Sequence, residues 1–577
     1  MKTIFIFFFI SLSIFAQEKN PSKDYMTVFE KSNGLKTGTY HEVIAYYQLL
    51  ADNYPQVHLD SIGMTDSGKP LHLVTFNPDK VFDFETIRKT KQTLLINNGI
   101  HPGEPDGIDA TMLLFRDLAQ GKIAAPQHTV LVTIPIYNVG GSLNKNSTTR
   151  TNQIGPEEYG FRGNARNYDL NRDFIKADTK NARTFTQIYH LVQPAVFIDN
   201  HVSNGADYQY TLTHLFTQHN KLGGDLGTYL HQEMMPSLEK KLANKKWDIT
   251  PYVNVFNEVP EAGFTQFMDS PRYSTGYAAL FNSLGMMVET HMLKPYKPRV
   301  EGTYELMKSM LDIMETDYDK IKQLRADAIK QFQASNSYPL DWTVDTTRST
   351  ILKFKGYEGK MIPSEITGGN RLKYDRSKPF SKDVVYKNYF KPTVEVSIPK
   401  AYIIPQGWWN VIDLLKLNQV EMSILKKDTT ITVESYKIDS YKTRSQAYEG
   451  HYQHYNTNVI STTQNITFKK GDYYISTQQH AFRYLLETLE PQAPDSFFNW
   501  NLFDTILQQK EGFSPYAFED IAAELLNNNA ELKLEFEVKR KSEPDFAKSW
   551  YAQLDWLHKH SPYYELAHLQ YPVYRVR

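Results

Sequence analysis

From residue 40 to about 300, short apolar runs alternate with stretches of helical period. The apolar runs are TLLINNGI (93–100), HTVLVTIPIYN (128–138), PAVFIDN (194–200) and the end of GYAALFNSLGMMVETHM (276–292). Helical periods fill the gaps at DGIDATMLLFRDLAQ, 180–193 and 221–243. Such alternation selects an α/β fold, with a mixed, mostly parallel sheet flanked by helices. A helix over 40–54 and a hairpin over 56–76 precede it. A Gly turn is expected at Gly285, and one long helix from about Val300 to Ser335. In open sheets of this type, sites gather at the carboxyl ends of strands. That points to the residues expected just after the apolar runs: His101, Glu104, Asn138, His201 and Glu289.

Composition narrows the chemistry. The chain has no cysteine, so any metal site must use His and carboxylate ligands. Lys and Arg number 64 against 65 Asp and Glu, which argues against a nucleic-acid partner. Hydrophobic residues make up 41%, enough for large packed cores. The first 16 residues read as a signal peptide: Lys2, then an apolar stretch from Ile4 to Ala16. That stretch is shorter than the roughly 20 residues that span a bilayer. Export to a periplasmic or secreted location is therefore expected, with no transmembrane segment in the mature chain.

Four local patterns carry chemistry. His101-Pro-Gly-Glu104 sets two ligand types three apart in a loop whose prolines forbid a regular helix. His201 repeats the arrangement of apolar run, Asn and then His. Two His and one Glu with an open fourth position form a known catalytic zinc set, which activates water and polarises a carbonyl. FRGNARNYDLNRDF (161–174) is dense in Asn, Arg and Asp. It reads either as a solvated loop or as a carboxylate-reading one, since Arg forks bind carboxylates bidentately. Asp169 in it could orient a metal-bound His. Glu289 follows a buried run, where a carboxylate is costly unless paired or functional.

In that order the four patterns resemble the zinc carboxypeptidase family, the one containing carboxypeptidases A, B and D, over about residues 40–300. The resemblance implies one Zn2+ per chain on His101, Glu104 and His201, with Asp169 behind His101. It implies Arg162 as oxyanion stabiliser, and Asn171 and Arg172 as clamps on a terminal carboxylate. Glu289 would be the general base and acid, and Tyr273 or Tyr277 the mobile aromatic. Substrates would be C-termini of peptides or proteins. The chain departs from the family pattern at Asn138-Val139-Gly140-Gly141 and at Asp173.

The expected layout is a signal peptide (1–16), a catalytic domain (17–340) and a C-terminal α+β accessory region (341–577) of one or two subdomains. Beyond about 340, alternation, Tyr and Lys increase, and no motif there carries chemistry. Removing that region should change solubility or substrate range and spare the zinc ligands. Two other functions compete. One is a zinc amidase acting on peptidoglycan stem peptides or acylated amino acids. The other is an inactive peptide- or glycan-binding module, suggested by Trp408, Trp409, Trp500, Trp550 and Trp556.

Overall fold

The computed structural model describes residues 25–577, so the signal-peptide expectation lies outside the described residues. Among the described residues, nine strands precede residue 300: β1 (Val57–Met64), β2 (Pro70–Phe76), β3 (Gln92–Asn97), β4 (Thr129–Ile134), β5 (Val196–Ser203), β6 (Leu212–Phe216), β7 (Ile249–Pro251), β8 (Phe264–Thr265) and β9 (Leu284–His291). All but β8 form one eight-stranded sheet in the order β1-β2-β4-β3-β5-β9-β6-β7. Its centre, β4-β3-β5-β9, is parallel. The β1-β2, β2-β4 and β9-β6 junctions are antiparallel. The central strands β3 and β4 are buried along their whole length, which is why they read as unbroken apolar runs rather than alternating ones.

Three expectations need correction. The long helix is two, Tyr296–Thr316 and Tyr318–Gln333, separated at Asp317. Gly285 lies inside β9, and the turn falls earlier, where Asn282 takes a left-handed φ of 54°. His201 and Glu289 do not follow their strands. They lie within β5 and β9, which continue because the two residues pair directly in register.

The second half is not a detached unit. A six-stranded sheet contains Ala401–Ile404, Thr429–Thr443, His454–Phe468 and Tyr574–Val576. A long hairpin, Thr350–Pro363 with Asn370–Lys387, continues onto β8 and touches Tyr208 through Gly356. One hydrophobic core runs without a break from Phe29 to Val573. Polar ties cross the seam. The buried Arg483 donates to Lys221 O at 2.7 Å and to Asn282 Oδ1 at 3.2 Å. Lys221 pairs with Glu487 at 3.3 Å. The helices between Pro515 and Lys559 have a small core of their own, built around Phe518, Phe536 and Leu554. No helix among the described residues is long and apolar enough to cross a membrane.

Candidate metal centre and cleft

The loop after β3 supplies the first two groups. Glu104 N–H donates to His101 O at 2.8 Å, closing a turn that aims both side chains the same way. Gly103 is required there, because a Cβ would stand 2.5 Å from Cδ of Arg150. β5 supplies His201, directly opposite Glu289 of β9. Residues i and i+2 of a strand share a face, so Asp199 lies under His201.

Ligand atoms of His101, Glu104 and His201 lie within 4.8 Å of one another, and all three residues are buried. His101 Nδ1 faces Glu104 Oε1 at 3.2 Å, and His201 Nδ1 faces Oε2 at 3.1 Å. The outer ring nitrogens are held by carboxylates. His101 Nε2 is 2.9 Å from Asp169 Oδ1, and His201 Nε2 is 2.9 Å from Asp199 Oδ2. These contacts fix which nitrogen each ring turns inward, as outer partners of metal-bound His do. Among the described residues, the buried His101 Nδ1 finds no hydrogen-bond partner. An orphan nitrogen aimed at a carboxylate and a second imidazole fits a tetrahedral N/O site with one position open.

Charge is concentrated here. Burial would raise the Glu104 carboxyl, but the His101 and Arg150 charges outweigh it and hold Glu104 well below the usual range. Burial pushes Glu289 up to about 7; His201 opposes the rise, while Glu104 and Asp199 add to it. Glu289 remains partly open to a cleft of about 350 Å³. Leu215, Phe267 and Met287 supply apolar lining to that cleft.

The 161–174 loop forms one wall. Arg162 places Nε and Nη2 on Asp169 Oδ2 at 3.0 and 2.9 Å, with Nη1 3.7 Å from Glu104. Its backbone is pinned by Asn138, whose side chain donates to Arg162 O at 2.9 Å and accepts from Gly141 N–H at 2.8 Å. The unusual Asn-Val-Gly-Gly sequence therefore still anchors the wall. Asn171 Oδ1 accepts from Ser274 N–H at 3.3 Å. Arg172 stacks 4.6 Å over the Tyr273 ring. Asp173 faces inward, accepting from buried Lys176 at 2.7 Å and from the Thr179 hydroxyl at 2.6 Å, which explains an acid at that position.

Tyr273 lines the cleft, but Tyr277 does not. The Tyr277 ring is fully buried, and its hydroxyl donates to Asn418 at 2.6 Å. The helical spacing of Ser274–Ala279 turns it into the core against Tyr189 and Phe281. Its earlier place among substrate-binding candidates is therefore corrected. Two groups were missed from sequence. Arg150 lines the cleft with Nη2 2.9 Å from Glu104 Oε1, a contact no local pattern announces. Asp199 was legible in principle, since strand period alone sets it beneath His201.

Residues 43–203 match the family model described as zinc carboxypeptidase. The likeness to the zinc carboxypeptidase family thus lies in the segment that carries His101, Glu104 and His201. It is similar to carboxypeptidase 2 of Trichophyton rubrum, 22% identical over 444 residues that cover 71% of this chain and 74% of that protein. Carboxypeptidase 2 of Trichophyton equinum is 23% identical, covering 70% of this chain and 73% of its own. Among solved structures, carboxypeptidase A from Helicoverpa armigera aligns over 48% of this chain and 74% of its own, with 14% identity and a TM-score of 0.37. These matches support a zinc metallocarboxypeptidase-type enzyme with an α/β catalytic fold.

Proposed function

We propose that this protein removes residues from the C-termini of peptides, as an exported enzyme with one zinc ion. The observation that carries the reading is the convergence of three ligand atoms within 4.8 Å, beside Glu289 and at the floor of an arginine-walled cleft. His101, Glu104 and His201 would hold zinc, which when bound polarises a carbonyl and activates water. Arg172 and Asn171 would take the free α-carboxylate, the group that distinguishes a chain end from an internal bond. Tyr273 would cover that carboxylate from the side on which it already stacks against Arg172. Arg162 would neutralise negative charge growing on the scissile carbonyl oxygen. Glu289, with a pKa near 7, is suited to accept a proton from the attacking water and deliver it to the leaving amine.

Residues 17–340 would form the catalytic unit, with 341–577 shaping access to it. Supporting that division of labour, Glu449 accepts the Asp169 N–H at 2.9 Å, and the Thr350–Lys387 hairpin buttresses the 204–210 segment beside the cleft. A decayed binding module fits poorly, because the ligand set, the base and the arginines are all retained. The amidase reading keeps the same chemistry and differs only in substrate.

A peptide-library digest read by mass, with metal analysis of the same sample, tests the proposal. Stepwise loss of C-terminal residues with about one zinc per chain is expected. Internal cleavage, or a zinc-free active sample, would overturn it. Preferential release from muropeptides over linear peptides would favour the amidase.

A further inference from the structure

β3 carries the metal loop at one end. At its other end, Gln92 and Thr93 open onto a separate cavity of about 230 Å³. Arg88, Lys91, Lys322 and Arg325 line this cavity together with His480, and no carboxylate does so among the described residues. The space is several times the roughly 30 Å³ share of a single water.

Among the described residues, only Lys91 of these four cations has an acidic partner, Asp79 at 2.7 Å. Among the described residues, no carboxylate comes within ion-pair distance of Arg88, Lys322 or Arg325. Two of these side chains are fixed in place by backbone carbonyls. Arg88 Nη1 donates to Leu191 O at 2.7 Å, and Arg325 Nε donates to Asn282 O at 2.9 Å. Among the described residues, each fork keeps further N–H donors without a protein acceptor. Burial lowers the Arg325 pKa, and only the Tyr189 phenol opposes that fall. Burial and then the Arg325 charge depress His480 in turn. Like charges held together at a partly buried seam cost free energy unless an anion joins them.

We propose that this cavity binds a phosphate- or sulfate-class oxyanion, held by Arg88, Lys322 and Arg325. The three cations come from two separate segments, the helix Phe84–Thr90 and the helix Tyr318–Gln333. His480 belongs to the accessory half, just before the helix Phe482–Leu489. A bound oxyanion would therefore be held by the catalytic half, with His480 of the accessory half lining the same cavity, at a point remote from the cleft. Planar guanidinium forks match the geometry of tetrahedral oxyanions.

The test is thermal unfolding of the full-length protein, titrated with inorganic phosphate or sulfate against chloride at equal ionic strength. A ligand that binds only the folded state raises the midpoint in a saturable way. We expect such a rise with phosphate and sulfate and none with chloride. Arg325→Gln and Lys322→Gln should each weaken the oxyanion response about tenfold or more, the scale of one charge-assisted contact. Peptide hydrolysis without oxyanion should stay unchanged in Lys322→Gln. Lys322 is exposed, so this variant remains informative even where Arg325→Gln folds poorly. Absence of a saturable shift in wild type would overturn the proposal. So would a shift that survives in an Arg88→Gln, Lys322→Gln double variant, because the anion would then be seated in the cleft.

Discussion

At the scale of single residues, the cleft is organised by who holds whom. Glu289 is expected to move a proton without holding the metal. Glu289→Gln should lower kcat by about 10²- to 10⁴-fold, the usual contribution of a positioned acid–base group. Zinc content, read by metal analysis of the same preparation, should stay unchanged. Asp199 makes the opposite kind of contribution. Its contact to His201 Nε2 fixes which nitrogen faces Glu104. Asp199→Asn should weaken zinc affinity by about 10- to 100-fold, measured by competition with a chelator, and activity should return at high zinc. Asp109 offers a pH test away from the ligands. Burial pushes its carboxyl up to about 7, and it accepts a hydrogen bond from the Tyr296 hydroxyl. A raised acid keeps its proton in the fold but loses it in the unfolded chain near pH 4. Its stabilising contribution is thus full below about pH 4 and is lost as pH rises toward 7. Asp109→Asn should flatten that part of the curve of unfolding midpoint against pH.

At the scale of elements, legibility followed periodicity. β3 and β4 announced themselves as apolar runs because both faces are covered, and HPGE stood out because prolines bracket the turn. The ends of β5 and β9 were misplaced because polar residues such as Asp199, His201 and Glu289 interrupt the apolar pattern where the site is built. A strand whose outer end lines a site must carry polar side chains there, so hydropathy ends it too early. Tyr277 was misassigned for a related reason. SPRYSTGY gives two tyrosines in a row of turn residues, and only the helix at Ser274–Ala279 decides which one faces out. Arg272 directly precedes Tyr273, yet its partners lie far along the sequence. Its guanidinium pairs with buried Asp495 at 2.7 Å and stacks 5.0 Å from the Trp500 ring. Asp495→Ala would leave a largely buried cation unpaired and should cost about 3–5 kcal/mol in chemical denaturation.

At the scale of the whole molecule, the boundary near residue 340 is a seam in texture rather than in packing. The accessory half shares one core with the catalytic half, and Tyr277, Phe281 and Asn282 all meet it. The expectation that removing the second half merely alters solubility or range therefore needs sharpening. A chain cut after residue 340 uncovers Phe281 and strips Lys221 of Glu487. It should aggregate or melt at a clearly lower temperature by calorimetry. The intact protein should unfold its two halves together, leaving only the small Pro515–Lys559 cluster able to part early.

The contact between Glu449 and the Asp169 N–H also imposes an order in time. Asp169 orients His101, and its own backbone is steadied by a residue 280 positions further along. During synthesis the ligand loop emerges long before its support does. A growing chain would thus carry all its metal-binding side chains well before it could hold them in register. Full hydrolytic competence would come only when the second half has closed around the first.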